Sequence, residues 1–310
     1  EQGSYILTLT APERVPVRYP LLVGREAIRL HIDLPRLGAV PPGMVYVAAG
    51  KSLFGSAAPE PVRRHRADPL HPLTTGPYLI AERETTFADY LTYLRALPAA
   101  ERARRLPHAG AGPASLQLAE RRDGTYELTV QAGGEVYRAR EGELLHYQGR
   151  AQRAAQDWRR FPVTGLTFAD AQAFVQWLAE TRRLPGARLC SEQEWERAAR
   201  GADEREYPHG DTLAPADANF GETYEHEPRA LGLDEVGSHP ASRSPLGLYD
   251  MLGNAEEWVR SPSAKRCCLL RGCGYAAAAA ACAVSQRTEV APGARTASQG
   301  LRVCATYPAP

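Results

Sequence analysis

Among the side chains able to do chemistry, the cysteines come first. Cys190, Cys267, Cys268, Cys273, Cys282 and Cys304 stand in 310 residues. They are too sparse for a disulfide scaffold, and none shows the Cys-x-x-Cys spacing of a metal site. They read as unpaired, half-buried thiols that behave as small hydrophobes in a reducing compartment. His65, His71, His108 and His146 fall at scattered, loop-like positions and face solvent on this reading. The remaining concentration of interest is Arg271 to Arg302, where arginines and glycines flank a run from Ala276 to Ala281. Alanine is the best helix former, but no caps flank this run, and six residues cannot sustain an isolated helix. The run reads as a small, flat, mildly apolar surface suited to contact rather than to catalysis.

Charge narrows the partners. The 37 basic and 36 acidic residues leave a net charge of +1, so no basic field advertises nucleic acid and no polybasic cluster advertises a membrane. No stretch approaches the ~20 apolar residues of a membrane span, and no basic-then-apolar leader is present. With unpaired cysteines, this favours the cytoplasm. The expected partner is a protein or another surface ligand.

The elements that must position these residues come in two groups. Tyr5 to Leu9 and Ile28 to Leu34 alternate apolar and polar residues between proline-rich breaks, which predicts a small antiparallel β domain over 1–38. A proline-bearing linker leads into a second domain, 39–310. There Met44 to Ala48 and Pro77 to Ala81 read as strands, with a turn at Gly55-Ser56. Helices are predicted at Thr86 to Leu97, Thr167 to Thr181 and Ser191 to Arg200, the last with Ser191 and Glu194 spaced as a capping box. The charged segment 98–160 reads as an insertion holding one hairpin around Asp123-Gly124. Beyond Arg200 periodicity fades, and so long a loop-rich stretch needs an organising fold or a metal.

Several motifs occur in a fixed order: Phe54-Gly55-Ser56, Pro162-Val163-Thr164-Gly165, Arg188-Leu189-Cys190-Ser191-Glu192-Gln193-Glu194-Trp195, Gly247-Leu248-Tyr249-Asp250-Met251-Leu252-Gly253-Asn254-Ala255-Glu256-Glu257-Trp258, and Arg271-Gly272 through Gly300-Leu301-Arg302. This series resembles the formylglycine-generating-enzyme-like, or sulfatase-modifying, family. The resemblance implies an α+β, loop-rich C-type-lectin-like fold. Departures include Cys190 for the usual proline, Glu256 for tryptophan and Cys273-Gly274 for Gly-Ser.

In the oxidising members two cysteines after the Arg-Gly pair bind copper(I), as soft thiolates should. Their first position falls here on Ala277 and the second only doubtfully on Cys282, so neither copper nor a catalytic residue is expected. A Cys273–Cys282 copper pair stays open as an alternative. The shorter segment instead resembles the variable region of proteins diversified by retroelements. Its anchors would be Arg271, Gly272, Tyr275, Arg287, Pro292, Arg295, Gly300 and Arg302. Ligand contact would then fall to Tyr275, Ala276, Ala277, Ala278, Ala281, Gln286, Thr288, Glu289, Val290, Ala294, Thr296, Ala297 and Ser298. Asp250, Gly253, Ala255 and Glu257 match the spacing of a structural calcium site, two carboxylates and two carbonyls. Asn219 resembles a ligand of a second such site, whose downstream aspartate looks absent between Pro228 and Leu233. Three functions remain: a non-catalytic ligand-binding protein, which is preferred, a formylglycine-type copper oxidase, or the sensor module of a signalling kinase whose catalytic domain would be encoded upstream.

Overall fold

The structure is a computed structural model that describes residues 1–60, 67–110, 114–261 and 268–307. Among these residues it is α+β, dominated by short antiparallel strands. Four helices are numbered here in chain order: α1 (Phe87–Ala96), α2 (Ala99–Arg104), α3 (Phe168–Glu180) and α4 (Glu192–Arg200). Thr86, Thr167 and Ser191 cap α1, α3 and α4 through full capping boxes with Asp89, Asp170 and Glu194. Each box satisfies two otherwise orphaned backbone donors, so these three starts were readable in the sequence. The α2 turn was not, because Ala99–Arg104 buries no residue and shows no apolar face.

Two four-stranded sheets frame the body. One runs Ala187–Leu189, Val303–Thr306, Tyr78–Ala81, Met44–Val47, all antiparallel. The other runs Arg287–Glu289, Leu269–Arg271, Glu256–Val259, Gln299–Gly300, its last pair parallel. The hairpin Gly50–Phe54 with His71–Thr75 escapes sequence reading, since it alternates only loosely and contains Pro72.

The N-terminal unit is a single hairpin, Gly3–Leu9 with Val17–Val23. Ile28 to Leu34 forms no strand, because those residues lie largely exposed without a sheet edge to join. Nor does the hairpin own a core: Val17 and Tyr19 are buried in the same apolar cluster as Tyr46 and Leu79, and Arg18 Nε donates to the Pro245 carbonyl (2.8 Å). The segment 98–160 holds more than one hairpin. His108–Ala109, Ser115–Glu120, Tyr126–Ala132 and Glu135–Arg140 form a four-stranded antiparallel sheet. Its inward residues Leu116, Leu118, Leu128 and Val130 join the main core. Gly133 has a positive φ, and a Cβ there would stand 2.2 Å from the Pro228 carbonyl carbon, so the sheet docks closely on the loop-rich half.

The cysteines correct the sequence reading most sharply. Cys190 and Cys304 form one disulfide and Cys273 and Cys282 another. Cys190 and Cys304 stand 114 residues apart and carry no pairing signal, and Cys273 with Cys282, nine apart, reads equally as a pair of thiolates, so sparse spacing misled. The cytoplasmic preference, which leaned on unpaired thiols, loses that support. Cys267 and His65 lie outside the described residues.

Candidate functional site

The segment from Arg271 is held by ion pairs. Arg271 Nη2 meets Glu196 of α4 and the Val284 carbonyl (3.0 Å). Arg287 spans Asp68 (2.6 and 2.8 Å) and Glu192 of α4 (3.4 Å). Arg295 pairs with Asp170 of α3 (2.8 Å). Arg302 grips Glu257 at 2.8 and 3.0 Å, while Trp195 Nε1 donates to the same carboxylate (2.6 Å). Arg271 and Arg302 are fully buried, and losing one partner of such a pair costs far more than an exposed bridge would. Gly272 adopts φ +76° beside the Trp195 ring, a conformation that favours glycine.

These anchors leave a cavity of about 750 Å³ on the outer side. Ala276, Ala277, Ala281, Gln286, Thr288, Glu289 and Ser298 line it, together with Glu256, Gly272, Cys273, Gly274 and Arg287. Of the other predicted contact residues, Ala278 and Thr296 are exposed, and Val290 and Ala294 are half-buried outside it. Tyr275 and Ala297 are buried in the core, so neither is displayed. The Tyr275 N–H donates to Asn254 (3.0 Å), and burial pushes its phenol up to about 12; it is an anchor. The alanine run begins in a turn at Tyr275–Ala276 and ends in a single 3₁₀ turn at Ala279–Ala281. The Cys273–Cys282 disulfide ties it down, with Cys273 in the cavity wall. Glu256 is a lining residue missed in sequence; its departure from the family's tryptophan was the available signal.

The calcium candidates divide. Asp250 and Glu257 lie in a buried group with Glu84, and Arg302 is the guanidinium among them. Burial pushes Glu84 well above the usual carboxylate range and Asp250 to about 6; for Glu84 the other two carboxylates add to the effect. Arg302 and Trp195 Nε1 already take both oxygens of Glu257, and Asn254 with the Ala255 N–H takes Glu84, so Asp250 is the carboxylate left for a divalent cation. Among the described residues no group of three or more His, Cys, Asp or Glu side chains is arranged to hold a metal, so this set would depend on the Gly253 and Ala255 carbonyls.

The second set does not fit. The nearest downstream aspartate is Asp234, directly after Leu233, and a guanidinium already holds it. Arg150, from the inserted segment, donates to the Asp234 carboxylate (2.7 Å), the Ala230 carbonyl (2.6 Å) and the Gly232 carbonyl (3.0 Å). Its plane lies 3.6 Å from the Tyr147 ring centroid and 4.1 Å from that of Tyr224. His239, Gln156 and Tyr224 fill the remaining capacity of Asp234. Asn219 turns its amide donor toward Gly232 (2.9 Å) and Asn254 (3.1 Å).

Comparison with known proteins places this architecture. Residues 35–307 match the sulfatase-modifying factor enzyme 1-like domain, and the chain belongs to that family. It is 36% identical over 106 residues to the formylglycine-generating enzyme of Mycobacterium tuberculosis, covering 32% of each chain. It is 32% identical over 127 residues to the serine/threonine-protein kinase pkn1 of Chlamydia pneumoniae, 41% of this chain but 18% of that one. The chain thus spans a third or less of the length of these two relatives. Among solved structures, Treponema denticola variable protein 1 superposes with a TM-score of 0.59 at 19% identity, over 86% of this chain and 95% of the other. That likeness establishes the C-type-lectin-like fold expected from the motifs. The family includes a relative named as an inactive formylglycine-generating enzyme, from Bos taurus, beside active ones, so membership alone does not decide catalysis.

Proposed function

We propose that this protein is a non-catalytic ligand-binding protein whose contact face is the outer side of the segment 271–298. The observation that carries the reading is the cavity itself: short side chains from the variable-like positions line it, over anchors that are buried and ion-paired. A rigid frame carrying exchangeable small residues is the arrangement by which loops display binding surfaces on a scaffold. Calcium enters this reading as a structural ion at Asp250, Gly253, Ala255 and Glu257, where it would add charge compensation for Asp250 and brace the loops behind the face.

The neighbouring DNA tests it. A near-copy of the Arg271 to Arg302 coding segment, differing at adenines and lying beside a reverse transcriptase gene, is the expected result; its absence would refute the variable-protein form. One observation favours a second reading: Cys273 stands in the cavity wall with Cys282 bonded to it, and soft thiolates released by reduction could take copper(I). That oxidase reading requires oxygen-dependent loss of a peptide cysteine that stops in Cys282→Ser. The similarity to a much longer kinase suggests a third context, in which the same face serves as the sensor of a signalling protein.

A further inference from the structure

The cavity on the 271–298 face carries a charge pattern that its alanine-rich walls conceal. Arg287 is its cationic lining residue, and its guanidinium is spent on Asp68 and Glu192. The acidic lining residues are Glu256 and Glu289. Glu256 lies at the start of the central strand Glu256–Val259, half-buried, and its carboxylate takes one long hydrogen bond, from Ser298 Oγ at 3.3 Å. Desolvation raises its pKa, the mark of an anion short of partners. Of the other buried carboxylates, Glu196 is met by Arg271, Asp234 by Arg150 and Glu257 by Arg302, while Glu84 and Asp250 take the backbone N–H groups of Ala255 and Gly237. Among the described residues Glu256 has neither an arginine nor a backbone N–H on its carboxylate, and it borders open space.

Around it one part of the lining is short and apolar. Ala276, Ala277, Ala281, Gly274 and Cys273 supply the apolar wall of a channel whose other lining residues, Gln286, Thr288, Glu289 and Ser298, are polar. Such a channel suits an unbranched methylene stem, and an anion at its end suits the charge that stem carries. A bulky Arg fork would need several planar acceptors, whereas a lysine ammonium is a compact point charge. A phosphate or carboxylate ligand would meet Glu256, and among the described residues no free guanidinium lines the cavity to hold it.

Building on the reading of this face as a binding site, we propose that the cavity takes the side chain of a lysine presented by a partner protein. The stem lies on the alanines and the ammonium pairs with Glu256, while Ser298 Oγ lies within reach as an acceptor. The position where the family carries tryptophan has become the specificity-determining residue.

The test uses the full chain with isotope-labelled alanine methyls, titrated in NMR with N-acetyl-lysine methylamide. Parallel titrations use the norleucine analogue, which keeps the stem and loses the charge, and the glutamate analogue. The lysine probe should saturate shifts at the Ala276, Ala277 and Ala281 methyls about tenfold more tightly than norleucine does, and the glutamate probe should bind more weakly still. Glu256→Gln keeps the hydrogen bond to Ser298 and should erase the lysine preference while leaving the norleucine affinity unchanged. Equal binding of lysine and norleucine, or an unchanged preference in Glu256→Gln, would overturn the lysine assignment while leaving the face a binding site. Absence of any shift with the lysine probe would also overturn it. The broader reading stands or falls separately, on the DNA repeat and on cysteine oxidation.

Discussion

Arg150→Met offers the sharpest perturbation of the frame behind the binding face. The substitution keeps much of the side-chain volume but removes three charge-assisted hydrogen bonds, to Asp234, Ala230 and Gly232. It also removes the stacking on Tyr147 and Tyr224. Asp234 is completely buried and keeps His239 and Tyr224 as partners. The cost should therefore fall near the middle of the 3–5 kcal/mol range for orphaning one member of a buried pair, about 4 kcal/mol. With an unfolding entropy of roughly 2.1 cal/mol/K per residue, that lowers Tm by about 6 °C. Differential scanning calorimetry measures it directly, and Arg150→Lys, whose ammonium cannot span the three acceptors, should lose nearly as much. Once the guanidinium is gone, added calcium should raise the Tm of Arg150→Met and bring one more bound equivalent than the parent holds, read by metal analysis. A loss below about 1 kcal/mol, or a parent that already binds calcium at this loop, would refute the assignment of Arg150 as the cation there.

Other consequences follow from the same contacts. The Cys190–Cys304 disulfide closes a separation of 114 residues, so Cys304→Ala should cost about 5 kcal/mol by chain entropy, and Cys273→Ala, with a separation of 9, roughly half of that; urea unfolding with and without reductant reads both. Leu128→Ala, in the inserted sheet, should cost about 2–5 kcal/mol in one cooperative transition, because the side chain is in the main core; a separate early transition would mean the segment folds by itself. In acid, although burial pushes Asp234 up, the His239 hydrogen bond and the Arg150 charge hold it below the ordinary value. Burial likewise opposes Glu194, and Arg188 with the Ser191 N–H lowers it. A depressed folded pKa means stability that is full above the unfolded carboxylate value of about 4 and lost as pH falls through the folded one. Circular dichroism against pH should therefore show the fold intact at pH 5 and failing below about pH 4.

Sequence carries local grammar well and long-range partnership poorly, and this chain shows both. Thr86 with Asp89, Thr167 with Asp170 and Ser191 with Glu194 announce helix starts because both members of each box lie within three residues. The anchors of the 271–302 segment were recognisable as a pattern, but their reason was not. Arg271 reaches back 75 residues to Glu196 and Arg287 reaches 219 to Asp68. The Cys190–Cys304 disulfide was invisible for the same cause, since the two meet only after the Ala187–Leu189 and Val303–Thr306 strands pair. Asp234 and Arg150 gave no sequence signal as a pair, because they stand 84 residues apart and the cation comes from the inserted segment.

These misses share a direction. Where a loop-rich fold has no long helices or broad sheets to satisfy its buried polar groups, it must neutralise them with fixed charges, and here guanidinium groups carry that task. Arg150, Arg271 and Arg302 are each buried against a carboxylate, and Arg150 and Arg302 also reach across to backbone carbonyls on loops that no regular element holds. A planar fork with five donors does this better than an ammonium, because one side chain can meet several oxygens at once. The frame is then rigid without reference to the residues on its outer side. Ala276, Ala277, Ala281, Thr288 and Ser298 contribute little to it, so exchanging them should change what is bound before it changes whether the protein folds.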